Sequence, residues 1–446
     1  MATVSAESVP PRPSLPVARQ FTLSFYWLTW NIQWTAIIFI LMPLQVLGMV
    51  GEEHKALALG VVTSLGAVIS LVFPPLVGAL SDRTRTALGR RRPYMLWGSA
   101  LDGAALLLLA FIPLWLPMPW SIVFYVLAVM LLQFGSSVAT SPYAALIPDV
   151  VPASQLGLAS GWLALMTLLG NFLGNLLGGF GLEPLGGMAS VYGVLLGLFA
   201  LGATVTILGV REPAPPAVTP FSWRAFWQGI LEPLKNHNFR WVFLTRMFVV
   251  GGQWTVQAFL LYYFKDVFFD SSIRPVSFLA LSAFDAEQGV ALFLMMVLLG
   301  ALPSSWMGGL LSDRFGRKPM VYVASGLMSF VVFLFTLNVI PAFEGVLWLG
   351  LVFGLGYGAY TSVDWALACD VLPSQHDYAK DMGVWHIASM VPQVVFLPLA
   401  GLLLDVFQRV GQSIGFEQLG YTVVFALACV LFVMGTVFVV KIKGVR

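Results

Sequence analysis

The sequence predicts an all-α integral membrane protein whose 12 transmembrane helices form two pseudo-symmetric six-helix bundles. Three observations carry that prediction. Of 446 residues, 59% are hydrophobic and only 10% charged, with a mean hydropathy of +0.87; a soluble domain carries about 25% charged residues. Apolar stretches of the roughly 20 residues that cross a bilayer core are centred near residues 37, 68, 104, 134, 169, 199, 252, 299, 329, 357, 393 and 429. A short basic hairpin is also written twice, as Ser81-Asp82-Arg83 leading to Gly89-Arg90-Arg91-Arg92-Pro93, and as Ser312-Asp313-Arg314-Phe315-Gly316-Arg317-Lys318-Pro319. A membrane β-barrel would show short alternating segments instead.

Residues 1–20 are polar and Pro-rich (Val9-Pro10-Pro11-Arg12-Pro13), lack a basic-then-apolar leader, and read as a cytoplasmic tail. Residues 21–210 form the first bundle. Its first helix carries Gln33-Trp34-Thr35 followed by Phe39, its second runs into the first hairpin, and its third holds Asp102. The fourth carries Thr140-Ser141, then Asp149-Val150 and Pro152. The fifth has Gly157 and Gly161, then Gly170, Gly174 and Gly178, rows that let helices approach closely.

Residues 211–238 form a cytoplasmic linker. Pro213, Pro215, Pro216 and Pro220 break the apolar pattern, and Phe221 to Leu234 mixes aromatic with charged residues as a short interfacial helix would. Residues 239–441 form the second bundle, and 442–446 a cytoplasmic tail. Helix seven repeats Gln253-Trp254-Thr255 before Phe259, helix eight runs into the second hairpin, and helix ten repeats Thr361-Ser362 before Asp370-Val371 and Pro373. Such internal repeats are a hallmark of transporter folds. Cys369 and Cys429 read as small hydrophobes rather than a disulfide or metal pair.

Charge sets the orientation. Of the 23 Lys and Arg, only Lys55, Lys265, Arg274 and Arg409 fall on one side of the membrane; the other nineteen share the side of both termini. By the positive-inside rule both termini are cytoplasmic, and the protein is expected to be a multi-pass protein of the cell (cytoplasmic) membrane.

The hairpins carry more than an anchor requires. Each has a glycine for a tight turn (Gly89, Gly316) and an acid at a matching place (Asp82, Asp313). Acids beside arginines form bidentate bonds, and Asp149 and Asp370 lie at the ends of helices four and ten. Asp82, Arg83, Arg90, Arg91, Arg92 and Asp149, with Asp313, Arg314, Arg317, Lys318 and Asp370, are therefore expected to form a breakable cytoplasmic gate.

With these motifs in view, the chain resembles the major facilitator superfamily, whose signature loop Asp-x-x-Gly-Arg-Arg is similar to both hairpins. Within it the chain resembles the glycoside–cation symporters, and most closely the sucrose:proton symporters. The matching stretches are Pro75-Leu76-Val77-Gly78 through Gly89-Arg90-Arg91-Arg92-Pro93-Tyr94, Ala144-Ala145-Leu146-Ile147-Pro148-Asp149, and Leu169-Gly170-Asn171-Phe172-Leu173-Gly174. The resemblance implies alternating access around a midplane site, with the hairpins closing the inward side. Two positions depart from it: sucrose carriers place an aspartate midway along helix four, where this chain has Gln133, and an arginine near that helix's end, where it has Ala144.

Other groups are thus candidates for carrying a coupling proton. An intramembrane charge costs about 3 kcal/mol even on lenient insertion scales, which singles out Asp102 and Asp364, with His386 as a third; Asp102 reads equally as a structural hydrogen-bonding group. Arg246 either snorkels to the surface or pairs with an acid. Sugars present hydroxyl edges and apolar faces, so a sugar site needs amides and aromatic rings. The substrate-binding candidates are Asn31, Gln33, Trp34, Gln133, Tyr143, Asn171 and Asn175 in the first half. In the second they are Gln253, Trp254, Gln257, Asp364, Trp365, Trp385 and Gln393.

No phosphate-binding glycine loop, zinc ligand set or nucleophile–base arrangement is legible, so no enzymatic activity, cofactor, metal or nucleic-acid partner is expected. The expected partners are a small-molecule substrate, a sugar of the sucrose or maltose kind, and a coupling cation, a proton before sodium, with the lipid bilayer around a monomer. An exporter or lipid carrier of the same fold is the alternative; a non-transporting membrane sensor is the alternative of another class.

Overall fold

The computed structural model describes residues 14–152, 155–212, 232–269, 276–278, 281–283, 285–340, 342–371 and 378–444. Twelve long helices run through them. The first half holds α1 (Val17–Val50), α2 (Lys55–Ser81), α3 (Arg92–Trp115), α4 (Trp120–Val150), α5 (Leu156–Phe180) and α6 (Met188–Gly209). The second holds α7 (His237–Val267), α8 (Ala286–Phe315), α9 (Arg317–Leu337), α10 (Phe343–Asp370), α11 (Tyr378–Ile414) and α12 (Leu419–Phe438). Eleven segments of these helices are long and apolar enough to cross a membrane; α7 misses the criterion although it has 31 residues. Arg240, Arg246, Gln253, Gln257 and Lys265 make it more polar than the rest.

Local chemistry sets several of the boundaries. Pro93 sits in the first turn of α3, where its missing N–H costs nothing. Asn236 caps α7 by accepting from the amides of Asn238 and Phe239, and Asp285 caps α8. Within α1 a π turn spans Ile37–Leu41, a feature that often marks a functional site. A two-stranded hairpin, β1 (Val276–Phe278) against β2 (Leu281–Ala283), adds a small sheet to the otherwise helical chain. The expected interfacial helix at 221–234 lies largely outside the described residues.

The packing repeats from half to half. Helix α1 packs on α5 and α6, as α7 packs on α11 and α12; α4 takes α2 and α3, as α10 takes α8 and α9; and α3 meets α6 as α9 meets α12. The halves are joined chiefly where α2 crosses α11 and α5 crosses α8, and also where α1 meets α7. Helices α1 and α12 begin and end at one face, called here the terminal face; the opposite one is the far face. The joining contacts lie in the far-side parts of these helices: Ser64 donates to the Val394 carbonyl at 2.7 Å, Tyr262 to that of Pro43 at 2.9 Å, and Gly179 lies against Ala291.

Exposure follows the same division. Residues 286–297 of α8 are nearly all buried, whereas its terminal-side half is repeatedly exposed, and α2 shows the same change. The halves are therefore packed together at the far face and parted toward the terminal face.

Candidate transport cavity

Between the halves lie two adjoining cavities of about 510 and 310 Å3, which share Thr35, Phe39, Asn171, Trp254 and Met390 as walls. These volumes fall within or near the roughly 300–1,000 Å3 of small-molecule sites. One face of α1 provides Trp27, Trp30, Asn31, Trp34, Thr35 and Phe39 to the lining. Trp27 and Trp30 stack at 4.6 Å with planes 8° apart. Every indole N–H of this group is spent on protein: Trp27 donates to Thr167 at 2.7 Å, and Trp30 and Trp34 both donate to Ser136, at 2.8 and 3.2 Å. The rings are thereby fixed in plane as an apolar platform. Across the cavity Trp254 of α7 stacks on Phe39 at 6.1 Å, which links the two copies of the repeated motif.

Amides surround the platform. Gln133 accepts from Ser70 at 2.6 Å, Asn171 accepts from Thr35 at 2.9 Å, and Asn31 donates to the Trp27 carbonyl at 2.7 Å. The Gln133 and Asn171 NH2 groups have no described protein partner. Asn175, Gln253 and Gln257 line the smaller cavity, and Gln393 and His386 the larger. Asn175 is buried with its Oδ1 unpartnered.

The other predicted residues stand behind this lining or away from it. Asp364 is fully buried and ion-paired to Arg246, and accepts from the Tyr360 hydroxyl at 3.2 Å. Arg246 itself lines the cavity, donates to Ser389 at 2.8 Å, and lies over the ring of Trp385 at 3.6 Å. Gln33 turns from the cavity to α3, where its NH2 meets the fully buried Asp102 at 2.7 Å. Its counterpart Gln253 reaches α9, toward the sulfur of Met328 at 3.5 Å. Tyr143 is buried behind Trp27, with its hydroxyl on the Leu23 carbonyl at 3.0 Å.

Trp365 is outside the lining of both cavities: it is 53% exposed, one helical turn beyond Thr361, which lines the smaller one. Sequence reasoning missed Trp27, Trp30, Ser136 and the lining role of Arg246. A Trp every three or four residues on one face of α1 was the available signal.

At the terminal face the two hairpins form matched clasps. Arg91 bonds Asp82 at 2.5 Å, Asp149 at 3.1 Å and Ser81 at 2.5 Å, while Arg90 reaches Asp149 at 2.6 Å. Arg317 bonds Asp313 at 2.6 Å, Asp370 at 3.3 Å and Ser312 at 2.5 Å. Arg83 donates to the Ala79 carbonyl, Arg314 lies over Phe315, and Lys318 holds the Ile442 carbonyl at 2.5 Å. The amides of Arg90, Arg91 and Arg92 all donate to the Glu212 carboxylate at 2.7–3.0 Å. Gly89 turns with φ +105° against that carboxylate, where a side chain would collide. Each clasp fastens helices within its own half. Among the described residues no ion pair joins the halves at this face.

The far face is different. Lys55 pairs with Asp266 and Lys265 with Glu52, both at 2.6 Å, and Arg409 with Glu53 at 3.5 Å; each pair crosses between halves. Asp405 of α11 accepts from the first-turn amides of Ala56 and Leu57 on α2, at 3.3 and 2.7 Å. One half thus caps a helix of the other. Burial would raise the Glu52 carboxyl, but Lys265 and Lys55 outweigh it and hold its pKa below the ordinary 4.5.

Two matched six-helix halves, sealed at one face around a polar and aromatic cavity, define a multi-pass membrane protein of the major facilitator fold. Residues 45–376 match the family described as MFS/sugar transport protein. The chain belongs to that family.

It is 29% identical over 198 residues to the general alpha-glucoside permease of Schizosaccharomyces pombe, covering 39% of this chain and 32% of the permease. It is 35% identical over 125 residues to human solute carrier family 45 member 4, covering 26% and 16%. These matches thus span a third or less of those relatives. The multi-drug resistance efflux pump PmrA of Streptococcus pneumoniae serotype 4 is 26% identical over 317 residues, 70% of each chain. The crystal structure of the nucleoside transporter NupG superposes with a TM-score of 0.70 at 12% identity, covering 95% of this chain and 99% of that one.

Proposed function

We propose that the protein is a secondary transporter of a sugar, an α-glucoside of the sucrose or maltose kind, which it carries by alternating access together with a proton. The observation that carries this reading is the platform of Trp27, Trp30 and Trp34 edged by Asn31, Gln133 and Asn171. Flat apolar rings receive the CH face of a pyranose, and the NH2 groups of Gln133 and Asn171 receive its hydroxyls. The likeness to the alpha-glucoside permease supports the same class. The predicted topology, with four basic residues on one side against nineteen on the side of both termini, supports a cytoplasmic terminal face, so that the cavity is parted toward the cytoplasm. Residues 1–20 and 442–446 are then cytoplasmic tails, 21–210 and 239–441 the two moving bundles, and 211–238 the linker between them.

The test is uptake of labelled sucrose and maltose into proteoliposomes, with and without an imposed proton gradient. Gradient-stimulated accumulation is expected, and Trp30→Ala should raise KM about tenfold, equivalent to ~1.4 kcal/mol. Uptake that ignores the gradient removes the symport. The mostly apolar platform and the PmrA likeness across 70% of each chain favour a second reading, export of an amphiphile. Extrusion of amphiphilic dyes without sugar uptake would establish that reading instead.

A further inference from the structure

Asp102 lies in the core of the first bundle with 0% of its surface exposed. Its Oδ1 accepts from Gln33, but its Oδ2 has no partner. Beside it, the Gln33 Oε1 is also buried and unpartnered, and the Ser99 and Tyr26 hydroxyls are buried with no partner but each other. Two orphaned oxygens beside two hydroxyls left to each other are unusual, because buried polar groups are nearly always satisfied.

Among the described residues no positive charge reaches this acid. Asp364, by contrast, is neutralised by Arg246. The elements packed around Asp102 are α1, α4 and α6; the titratable groups they bring toward it are Tyr26 and, behind that, Tyr143. No Lys, Arg or His faces it among the described residues. Arg92, on the same helix, is ten residues away, about 15 Å at 1.5 Å per residue.

We infer that Asp102, with Gln33, Ser99 and Tyr26, is the site that takes up the coupling proton, apart from the substrate cavity. A neutral carboxyl is the form that suits this chamber. Its O–H supplies a donor to an orphaned acceptor, Gln33 Oε1 or a hydroxyl oxygen, and the uncompensated buried charge disappears. A proton on Asp102 lets α1 and α3 close on each other; its loss leaves a bare carboxylate that must be hydrated, which drives them apart. Helix α1 carries the message. Its one face holds Trp30, Asn31 and Trp34 in the cavity, and its other face holds Gln33 against the acid. The deduction that this proton drives a sugar rests on the function proposed above; the protonation itself does not.

Two measurements separate these claims. In infrared difference spectra of the purified protein, the carbonyl stretch of a protonated buried carboxyl is expected at neutral pH and should vanish in Asp102→Asn, with no sugar present. Persistence of the band in that variant overturns the assignment. In proteoliposomes, Asp102→Asn should lose gradient-driven accumulation at least tenfold while sugar counterflow persists. Undiminished accumulation by Asp102→Asn overturns the inference, as does accumulation in wild-type protein that follows sodium and not the proton gradient. Should Asp102→Asn fail to fold, Gln33→Glu places a second acid on the same chamber. It should then shift the pH profile of accumulation; an unmoved profile overturns the inference. Absence of sugar transport by wild-type protein removes the function proposed above and leaves the infrared result standing.

Discussion

Arg246 is where the cavity between the halves and the protein interior meet. Its guanidinium is shared among the Asp364 carboxylate, the Ser389 hydroxyl and the face of Trp385, so it is fixed in position while one side lines the cavity. Removing one member of a buried pair strands the other charge and costs about 3–5 kcal/mol, whereas replacing both with apolar groups is often neutral. Asp364→Ala should therefore unfold at a clearly lower temperature in detergent, and Arg246→Met with Asp364→Leu should recover most of the loss. A single variant as stable as the wild type would show that the pair is not structural. At this scale the sequence was informative about residue type but poor at direction. Gln33 and Trp34 are neighbours, yet one faces α3 and the other the cavity, and only the helix's rotation within the bundle decides which.

Helix α5 lies on α1 through its glycine row. A Cβ on Gly174 would stand 2.5 Å from the Ile32 carbonyl oxygen and 2.9 Å from Thr35, so only glycine permits this spacing. Gly174→Val should cost about 1–3 kcal/mol and push Asn171 away from Thr35, which a thermal unfolding curve and a raised KM for the proposed sugar would both register. Stability within experimental error of the wild type would mean that α5 yields easily. The same contact places the π turn of α1 beside the junction of α5 with α8, where Gly179 meets Ala291. A bend in α1 is thus passed directly to the opposite half.

Across the whole molecule, the halves are held by charges at the far face and by nothing described at the terminal face. A carbodiimide that couples the Lys265 ammonium to Glu52 or the Lys55 ammonium to Asp266 should lock the far face shut and stop transport, and Lys55→Arg with Lys265→Arg should escape this inhibition. Acid should act on the same contact in a defined direction. The Glu52 pKa is lowered in the closed arrangement, so its contribution to closure is full above its ordinary pKa of 4.5 and fades as pH falls through the lowered value. Far-face closure, read by spin-label distances, should be constant through neutrality and loosen only in strong acid.

The architecture was legible because membrane-length apolar runs and a duplicated motif are one-dimensional signals. The far-face seal was not, since Lys55, Asp266 and the neighbours Asp405 and Arg409 come from three separate helices, and their spacing in sequence says nothing of their meeting. The hairpin residues were likewise identifiable, but whether they bind within or between halves is a three-dimensional matter.

The carboxylate of Glu212 sits 120 to 122 residues downstream of the three amides it accepts from. During synthesis α3 therefore enters the bilayer long before its first turn can be satisfied, and that turn is seated only once α6 has crossed. The clasp on α3 is completed at an identifiable residue of the growing chain, before α7 has been made, whereas the first turn of α2 waits for Asp405 of α11.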